Sequence, residues 1–311
     1  MIRYLKHTEI DKQRWDDCIY RAVNSRIYAY SWYLDRICPG WEALVEDDYS
    51  CVFPLTGNYK WGIHYLYQPF FAQQLGLFSS ELLTWSKLNE FLSAIPGKFR
   101  FIQIHLNSLN KPEELPVSLK LRINHELDMI APYENLAKNY SQNTRRNLKK
   151  AMDAGIILKR NTVADELVNL FKENFGQKEG KLKFRHYEMM RNLIQYFQKT
   201  SKGYLLGAFS ADGILSSMAF FVQDQSRIYL LFAASTPLSR ENGAMFMLVD
   251  TFIRDHSGQA LTLDFEGGND PSLGRFYKGF GAMEISYPVL KINRLPWLIN
   301  QGFHLNRKFW K

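Results

Sequence analysis

Cysteine is scarce in this chain of 311 residues, and its spacing matches no known cysteine motif. The three cysteines are Cys18, Cys38 and Cys51, and no two of them form a Cys-x-x-Cys pair. A disulfide scaffold and an all-cysteine zinc site are therefore excluded. The sequence also lacks a His-x-x-x-His pair and a Gly-x-Ser-x-Gly segment, so we predict no metal site and no serine-hydrolase nucleophile.

Long apolar runs are missing as well. No run approaches the ~18 residues needed to cross a bilayer, and the first residues lack the apolar stretch of a signal peptide. Apolar residues still make up 46% of the chain and charged residues 23%, so it can bury a sizeable core. This composition excludes a disordered or fibrous protein, and we expect a soluble, reduced, cytoplasmic one.

The charge is unevenly distributed. The formal net charge is +8, and the basic excess is concentrated in residues 138–160, 172–202 and 291–311. An excess of this kind suits a phosphate-bearing partner. The alternative is that the three segments are solvated helix faces scattered over the surface.

Caps, glycines and apolar periodicity predict one order of elements for the second half of the chain. After a helix over 141–154, that order is a strand, two helices, three strands, a helix, a strand, a helix and a strand. The predicted ranges are strand 156–159, helices from 162 and over 185–199, strands 204–209, 214–222 and 227–234, helix 244–254, strand 260–265, a helix from 270 to 281 and strand 283–290. The first half shows a rougher version of the same order.

This order resembles the GNAT acyltransferase fold, and Phe276-Tyr277-Lys278-Gly279-Phe280-Gly281 resembles a late segment of that superfamily. The segments Ser141–Ala151 and Leu263–Gly267 are similar to FemAB-like peptidyltransferases. The resemblance implies an α+β fold with a mixed sheet and two tandem GNAT-like acyltransferase domains. We expect domains at 1–131 and 132–290, followed by a basic tail at 291–311 that could pack back on the first domain.

The resemblance also implies a reaction, in which an acyl or aminoacyl group passes from a carrier to an amine. The carrier would be aminoacyl-tRNA or acyl-CoA, acting as co-substrate, with no tightly bound cofactor. The acceptor would be a small amine or a cell-envelope precursor, and DNA is not an expected partner. Two alternatives stay open: an acetyl-CoA-dependent N-acetyltransferase acting on a small amine, and a GNAT-fold binding protein without activity.

The carrier-binding prediction falls on the loop that opens the helix at 244. By resemblance, Arg240, Asn242, Gly243 and Ala244 match the pyrophosphate loop, and Lys278 could hold a carrier phosphate. Such a loop binds phosphate through bare backbone N–H groups at a helix N-terminus. Met245 stands where a small residue is expected, so the match is degenerate.

The predicted catalytic residues are Asp264, Glu266 and Tyr277. Period-two alternation on the strand at 260–265 places the two carboxylates on one face, where either could deprotonate an attacking amine. Tyr277 could protonate the leaving group, as related acyltransferases imply. The alternatives are a structural ion pair of a carboxylate with Arg275, and a tyrosine that packs its ring with its hydroxyl bonded to backbone.

Two further groups are predicted to bind substrate. Arg145 and Lys149 are four residues apart on one helix, as are Arg146 and Lys150, and like charges at that spacing are unfavourable unless an anion neutralises them. Arg275 could hold a substrate carboxylate or a carrier phosphate. In the first half, dense aromatics and amides indicate a substrate cleft between the domains or a domain-interface core. The residues chosen there are Tyr67, Gln73 and Gln74.

Overall fold

The computed structural model describes residues 1–111, 119–160, 162–179 and 182–296. The chain forms two compact units, one of Met1–Arg122 together with the chain from Ser286 onward, the other of Ile123–Ile285. The domain division expected after residue 131 stays a prediction. Most of the predicted basic tail, residues 297–311, lies outside the described residues.

The first unit contains short helices and short strands. Its helices are α1 Lys12–Arg21, α2 Ser31–Ile37 and α3 Trp85–Ser93, with 3-10 turns at His7–Glu9 and Ile27–Ala29. Its strands are β1 Ile2–Leu5, β2 Glu42–Glu46, β3 Cys51–Leu55, β4 Gly57–Lys60, β5 Ile63–Tyr67, β6 Phe78–Ser79 and β7 Phe99–His105. Strand β8, Leu119–Asp128, leads from this unit into the second.

The second unit carries the longer elements. Its helices are α4 Tyr133–Lys138, α5 Gln142–Asp153, α6 Ala164–Glu179, α7 Phe184–Lys199, α8 Pro237–Asn242, α9 Ala244–His256 and α10 Pro271–Lys278. Its strands are β9 Ile157–Arg160, β10 Gly203–Phe209, β11 Leu215–Asp224, β12 Arg227–Ser235 and β13 Thr262–Asp264. Strand β14, Met283–Asn293, returns the chain to the first unit.

Two groups of strands form the sheets of the first unit. Strands β1, β2, β3 and β6 are neighbours in that order, and all of their pairings are antiparallel. Strands β4, β5, β7 and β14 follow one another in the other group, where only β5 and β7 run parallel. Phe53, Phe91 and Phe99 are fully buried in the core of this unit.

The sheet of the second unit has the order β8-β13-β12-β11-β10-β9. Its neighbours pair antiparallel except β12 and β13, which are parallel and paired only from Arg227↔Thr262 to Tyr229↔Asp264. Beyond Tyr229, strand β12 continues to Ser235 without β13 beside it. The two strands therefore separate after Asp264. Ligands of α/β sheets commonly bind at the carboxyl ends of strands where neighbouring strands separate, so the end of β13 is a candidate position for a ligand.

Local sequence signals explain where the helices of the second unit begin. The Ser141 hydroxyl accepts a hydrogen bond from the Thr144 backbone N–H, which caps α5. The Asp270 carboxylate caps α10 in the same way, with Pro271 in the first turn. Leu148, on the inner face of α5, is buried in one core with Leu248 and Phe252 of α9.

Most of the predicted second-half elements are confirmed, but the strand expected over 260–265 is shorter. Strand β13 ends at Asp264, and Glu266 has a left-handed φ of +57°. The alternation that was expected to place Asp264 and Glu266 on one face is therefore wrong, because the backbone leaves extended geometry between them. Among the described residues, no helix combines the length and the apolar character needed to cross a bilayer.

Candidate functional site

Asp264 is the last residue of β13 and belongs to a network of hydrogen bonds and ion pairs. Its side chain is completely buried and accepts hydrogen bonds from the Asn124 side chain at 2.8 Å and from the Glu266 backbone N–H at 2.9 Å. The Arg227 guanidinium lies 3.4 Å from Asp264 and 2.9 Å from Glu126. These contacts give Asp264 a structural ion pair, with Arg227 as the cation in place of the expected Arg275.

Glu266 differs from Asp264 in both exposure and backbone. Its side chain is half-buried, and its left-handed φ is unusual for a residue that carries a β-carbon. Strained backbone of this kind is concentrated at functional sites. Glu266 is therefore the better placed of the two carboxylates to meet a substrate.

The loop from β13 to α10 is held in place by side chains of β8 and by its own Asn269. The Asn124 side-chain oxygen accepts the Gly267 backbone N–H at 3.0 Å. The Asn269 amide accepts the Ile123 N–H and donates to the Ile123 carbonyl, at 3.1 and 3.0 Å. Because these bonds mimic strand pairing, the loop is fixed before any ligand arrives.

His125 is absent from the residues predicted for the site, although it lies at the centre of this loop. It is 1% exposed, and its Nδ1 lies 3.0 Å from the Gly267 carbonyl, so Nδ1 carries the proton. Its Nε2 is buried without a hydrogen-bond partner among the described residues. Gly268 has a φ of +136°, and a β-carbon there would overlap the imidazole. The only sequence signal is an unusually polar stretch, 123–126, in a predicted strand.

Tyr277 lies on the inner face of α10 beside these groups. Its ring stacks on Phe265 with centroids 4.7 Å apart and lies 5.8 Å from the His125 ring. Burial, reinforced by the nearby charges of Glu266 and Asp264, raises the pKa of the Tyr277 hydroxyl. That hydroxyl makes no hydrogen bond among the described residues, so the expected alternative of a backbone-bonded hydroxyl is not observed. The hydroxyl is therefore protonated at neutral pH, which is the state required of a group that protonates a leaving oxygen.

The other two predicted residues of α10 face outward. Arg275 is exposed; hydrogen bonds from Ser272 and Leu273 lower the pKa of Asp270, the residue that caps the helix, and the charge of Arg275 lowers it further. Lys278 is exposed and forms an ion pair of 2.6 Å with Glu284. Neither contacts Asp264 or Glu266, so the structure separates them from the buried group.

The predicted phosphate loop is filled by the protein itself. Asn242 is buried, donates to the Ser216 hydroxyl at 3.0 Å and accepts the Ala244 backbone N–H at 3.0 Å. The backbone N–H groups of Gly243 and Phe246 also bond to carbonyls within the protein. Ala244 is fully buried, and only Arg240 of the four predicted residues is exposed. The N-terminus of α9 therefore offers few donors to a phosphate.

Gly243 joins α8 to α9 at a close contact with α5. Its φ is +70°, and a β-carbon there would overlap the Asn147 carbonyl oxygen. We expect Gly243→Ala to lower the free energy of unfolding by about 2–4 kcal/mol, because the left-handed backbone and the contact both exclude a side chain. Urea unfolding measures the loss, and Gly213→Ala, which has a φ of +78° but open space around it, is the control. An equal loss in both variants would contradict the contact with α5.

The predicted basic residues of α5 line a surface cleft. Arg145, Arg146 and Lys149, with Gln142 and Asn143, line a cavity of about 550 Å³. The Arg145 guanidinium donates to the Lys138 carbonyl at 2.7 Å, and that of Arg146 donates to the Asn143 side chain at 2.9 Å. Among the residues that the structure describes, no carboxylate pairs with these three cations. The cleft is therefore positively charged and partly preorganised.

The predicted residues of the first unit hold its own loops. The Gln74 side chain is fully buried, donates to the Gln73 side chain at 2.7 Å and accepts the Ser108 N–H at 2.8 Å. The Tyr67 hydroxyl donates to Cys38 Sγ at 3.7 Å. At the end of β7, burial lowers the pKa of His105 to about 4. These contacts favour the alternative of a packed core for Gln74, while Tyr67 and Gln73 are half-buried.

Comparison with known proteins gives structural similarity without sequence similarity. No protein-family model and no curated protein matches the chain. FemX matches 98% of this chain over 100% of its own, with a TM-score of 0.60 and 14% identity. L-PGS from Bacillus licheniformis matches 87% of this chain over 90% of its own, with a TM-score of 0.51 and 10% identity. A tandem GNAT protein from the clavulanic acid biosynthesis pathway matches 95% of this chain over 99% of its own, with a TM-score of 0.50 and 11% identity.

The chain has a FemAB/GNAT-like fold. Its mixed α/β architecture is the tandem GNAT-like one expected from the sequence, and that prediction of fold class is confirmed. At these identities the similarity establishes the fold alone. This fold is shared with transferases, and it does not by itself define a specific activity.

Proposed function

We propose that this protein transfers an acyl or aminoacyl group from a phosphate-bearing carrier to an amine. The observation that carries the proposal is the cationic cleft on α5, which Arg145, Arg146 and Lys149 line without a carboxylate partner among the described residues. A phosphate in the cleft would relieve the repulsion between Arg145 and Lys149 and accept hydrogen bonds from the guanidinium groups.

The chemistry falls to Glu266 and Tyr277. Glu266 takes a proton from the substrate ammonium, and the free amine attacks the acyl carbonyl carbon. As the bond from that carbon to the leaving oxygen breaks, Tyr277 protonates the oxygen. The second proton, lost by nitrogen as the amide forms, restores the phenol, and Glu266 releases its proton to solvent. Asp264 and Arg227 position Glu266 through its backbone N–H.

We place aminoacyl-tRNA ahead of acyl-CoA as the carrier. A CoA pyrophosphate needs the backbone N–H groups at the start of α9, and those of Gly243, Ala244 and Phe246 already have partners within the protein. A nucleic-acid backbone instead binds to exposed cations such as those of α5. The acceptor is an amine, either a small molecule or part of an envelope precursor.

Binding of labelled tRNA tests the proposal. We expect Arg145→Ala with Lys149→Ala to weaken binding about tenfold and to reduce the salt dependence, because each lost phosphate contact removes about 0.7–0.9 from the slope of log K against log salt. Lys138→Ala with Lys150→Ala removes the same charge from exposed residues that do not line the cleft. Equal weakening in both pairs, or a melting-temperature increase with acetyl-CoA but not with tRNA, would overturn the choice of carrier.

A further inference from the structure

The hairpin of β4 and β5 has an unusual residue in its turn. Lys60 pairs with Ile63, which leaves a two-residue turn of Trp61 and Gly62. Both residues have positive φ, +51° and +80°, as in a primed hairpin turn. Asparagine or glycine normally occupies the first of these positions, because a β-carbon is disfavoured in left-handed backbone. Trp61 therefore contradicts the local preference.

The same hairpin exposes its aromatic residues. Trp61 is 63% exposed and Tyr59 is 59% exposed. The Lys60 ammonium lies 4.8 Å from the Trp61 ring centroid, and the Tyr59 and His64 rings lie 4.6 Å apart. Trp61 and Tyr59 lie at the end of the hairpin with Lys60 between them. Each of these side chains has an apolar body and a polar end. This is the combination that is enriched at membrane interfaces.

The sequence on both sides of the tip also lacks acidic residues. No Asp or Glu occurs between Tyr49 and Ser80, so the whole stretch that contains β4 and β5 lacks negative charge. Protein-binding hot spots are normally centred in packed pockets ringed by other contacts. A narrow turn with two exposed rings, a lysine and no acid fits an anionic bilayer surface better than a protein pocket.

We infer that the tip formed by Tyr59, Lys60 and Trp61 docks this protein on the surface of an anionic lipid bilayer. Trp61 and Tyr59 enter the headgroup region, and the Lys60 ammonium stays at the level of the lipid phosphates. Two aromatic side chains and one lysine provide reversible binding, not permanent anchorage. The inference is independent of the proposed transfer chemistry.

Flotation with vesicles of phosphatidylcholine and phosphatidylglycerol tests the inference. We expect the unaltered protein to bind them. Trp61→Asn should reduce the partition coefficient about tenfold, because the variant lacks the indole whose apolar surface the headgroup region would bury. The melting temperature of the same variant should change little, because asparagine suits the turn and offsets the lost contacts of the indole. Reduced binding at an unchanged melting temperature separates docking from a folding defect. Lys60→Gln should reduce binding to these vesicles and leave binding to phosphatidylcholine alone nearly unchanged.

Leu82→Asn is the matched control, since Leu82 is 88% exposed in the same unit and lies outside the hairpin. It should bind vesicles as the unaltered protein does. Equal binding by Trp61→Asn and the unaltered protein would overturn the inference, as would a failure of the unaltered protein to bind any vesicle. Self-association that Trp61→Asn abolishes, without vesicle binding, would instead make the tip a contact between copies of this chain.

Discussion

Arg227→Met is expected to lower the free energy of unfolding by about 3–5 kcal/mol, the loss typical of a buried ion pair that loses one partner. Arg227 is the cation that both Asp264 and Glu126 contact, and Asp264 has no exposure to water. Methionine fills similar space without charge, so the cost comes mainly from carboxylates left in a poorly solvating environment. Urea unfolding at neutral pH measures this change.

Two controls isolate the ion pair. Arg160→Met breaks an exposed pair with Asp255, and we expect a loss within about 1 kcal/mol because exposed pairs contribute little. Adding Asp264→Asn to Arg227→Met should recover part of the stability, because one of the two carboxylates is then neutral. A loss in Arg227→Met no greater than that in Arg160→Met would show that the network contributes little to folding.

The network also shows how much of the site the sequence could reveal. The glycine turn after the strand directed attention to Asp264 and Glu266, and the family resemblance added Tyr277; the structure brings all three side chains close together, and their roles stay a prediction. The cation was not predictable: Arg227 is distant in sequence and reaches Asp264 only through the parallel pairing of β12 with β13. Arg275, close in sequence, is on the outer face of α10.

The same distinction between local and long-range information applies to the fold. The Ser141 and Asp270 caps were predictable because each is fixed by residues within one helical turn. The end of β13 was not, because it depends on how far β8 and β12 accompany it. His125 was missed for a related reason: its role follows from the Gly267 carbonyl, which only the folded chain brings to it.

Glu266→Gln is expected to lower the transfer rate about 10²–10⁴-fold, the usual contribution of a general base. The amide has nearly the shape of the carboxylate, and the backbone bond from the Glu266 N–H to Asp264 remains, so the fold should be unaffected. Single-turnover transfer of a labelled aminoacyl group from tRNA to an amine measures the chemical step. Changes in binding then do not affect the result.

Glu284→Gln and Asp264→Asn complete this test of the base. Glu284 is an exposed carboxylate that pairs with Lys278, and its neutralisation should change the rate less than twofold, as expected for an exposed pair. Asp264→Asn should mainly reduce stability, because Asp264 accepts protein hydrogen bonds and has no access to substrate. A normal transfer rate in Glu266→Gln, together with a large loss of rate in a folded Asp264→Asn, would show that Asp264 and not Glu266 is the general base. We expect the loss of rate in Glu266→Gln, because Glu266 is half-buried and lies next to the protonated phenol of Tyr277.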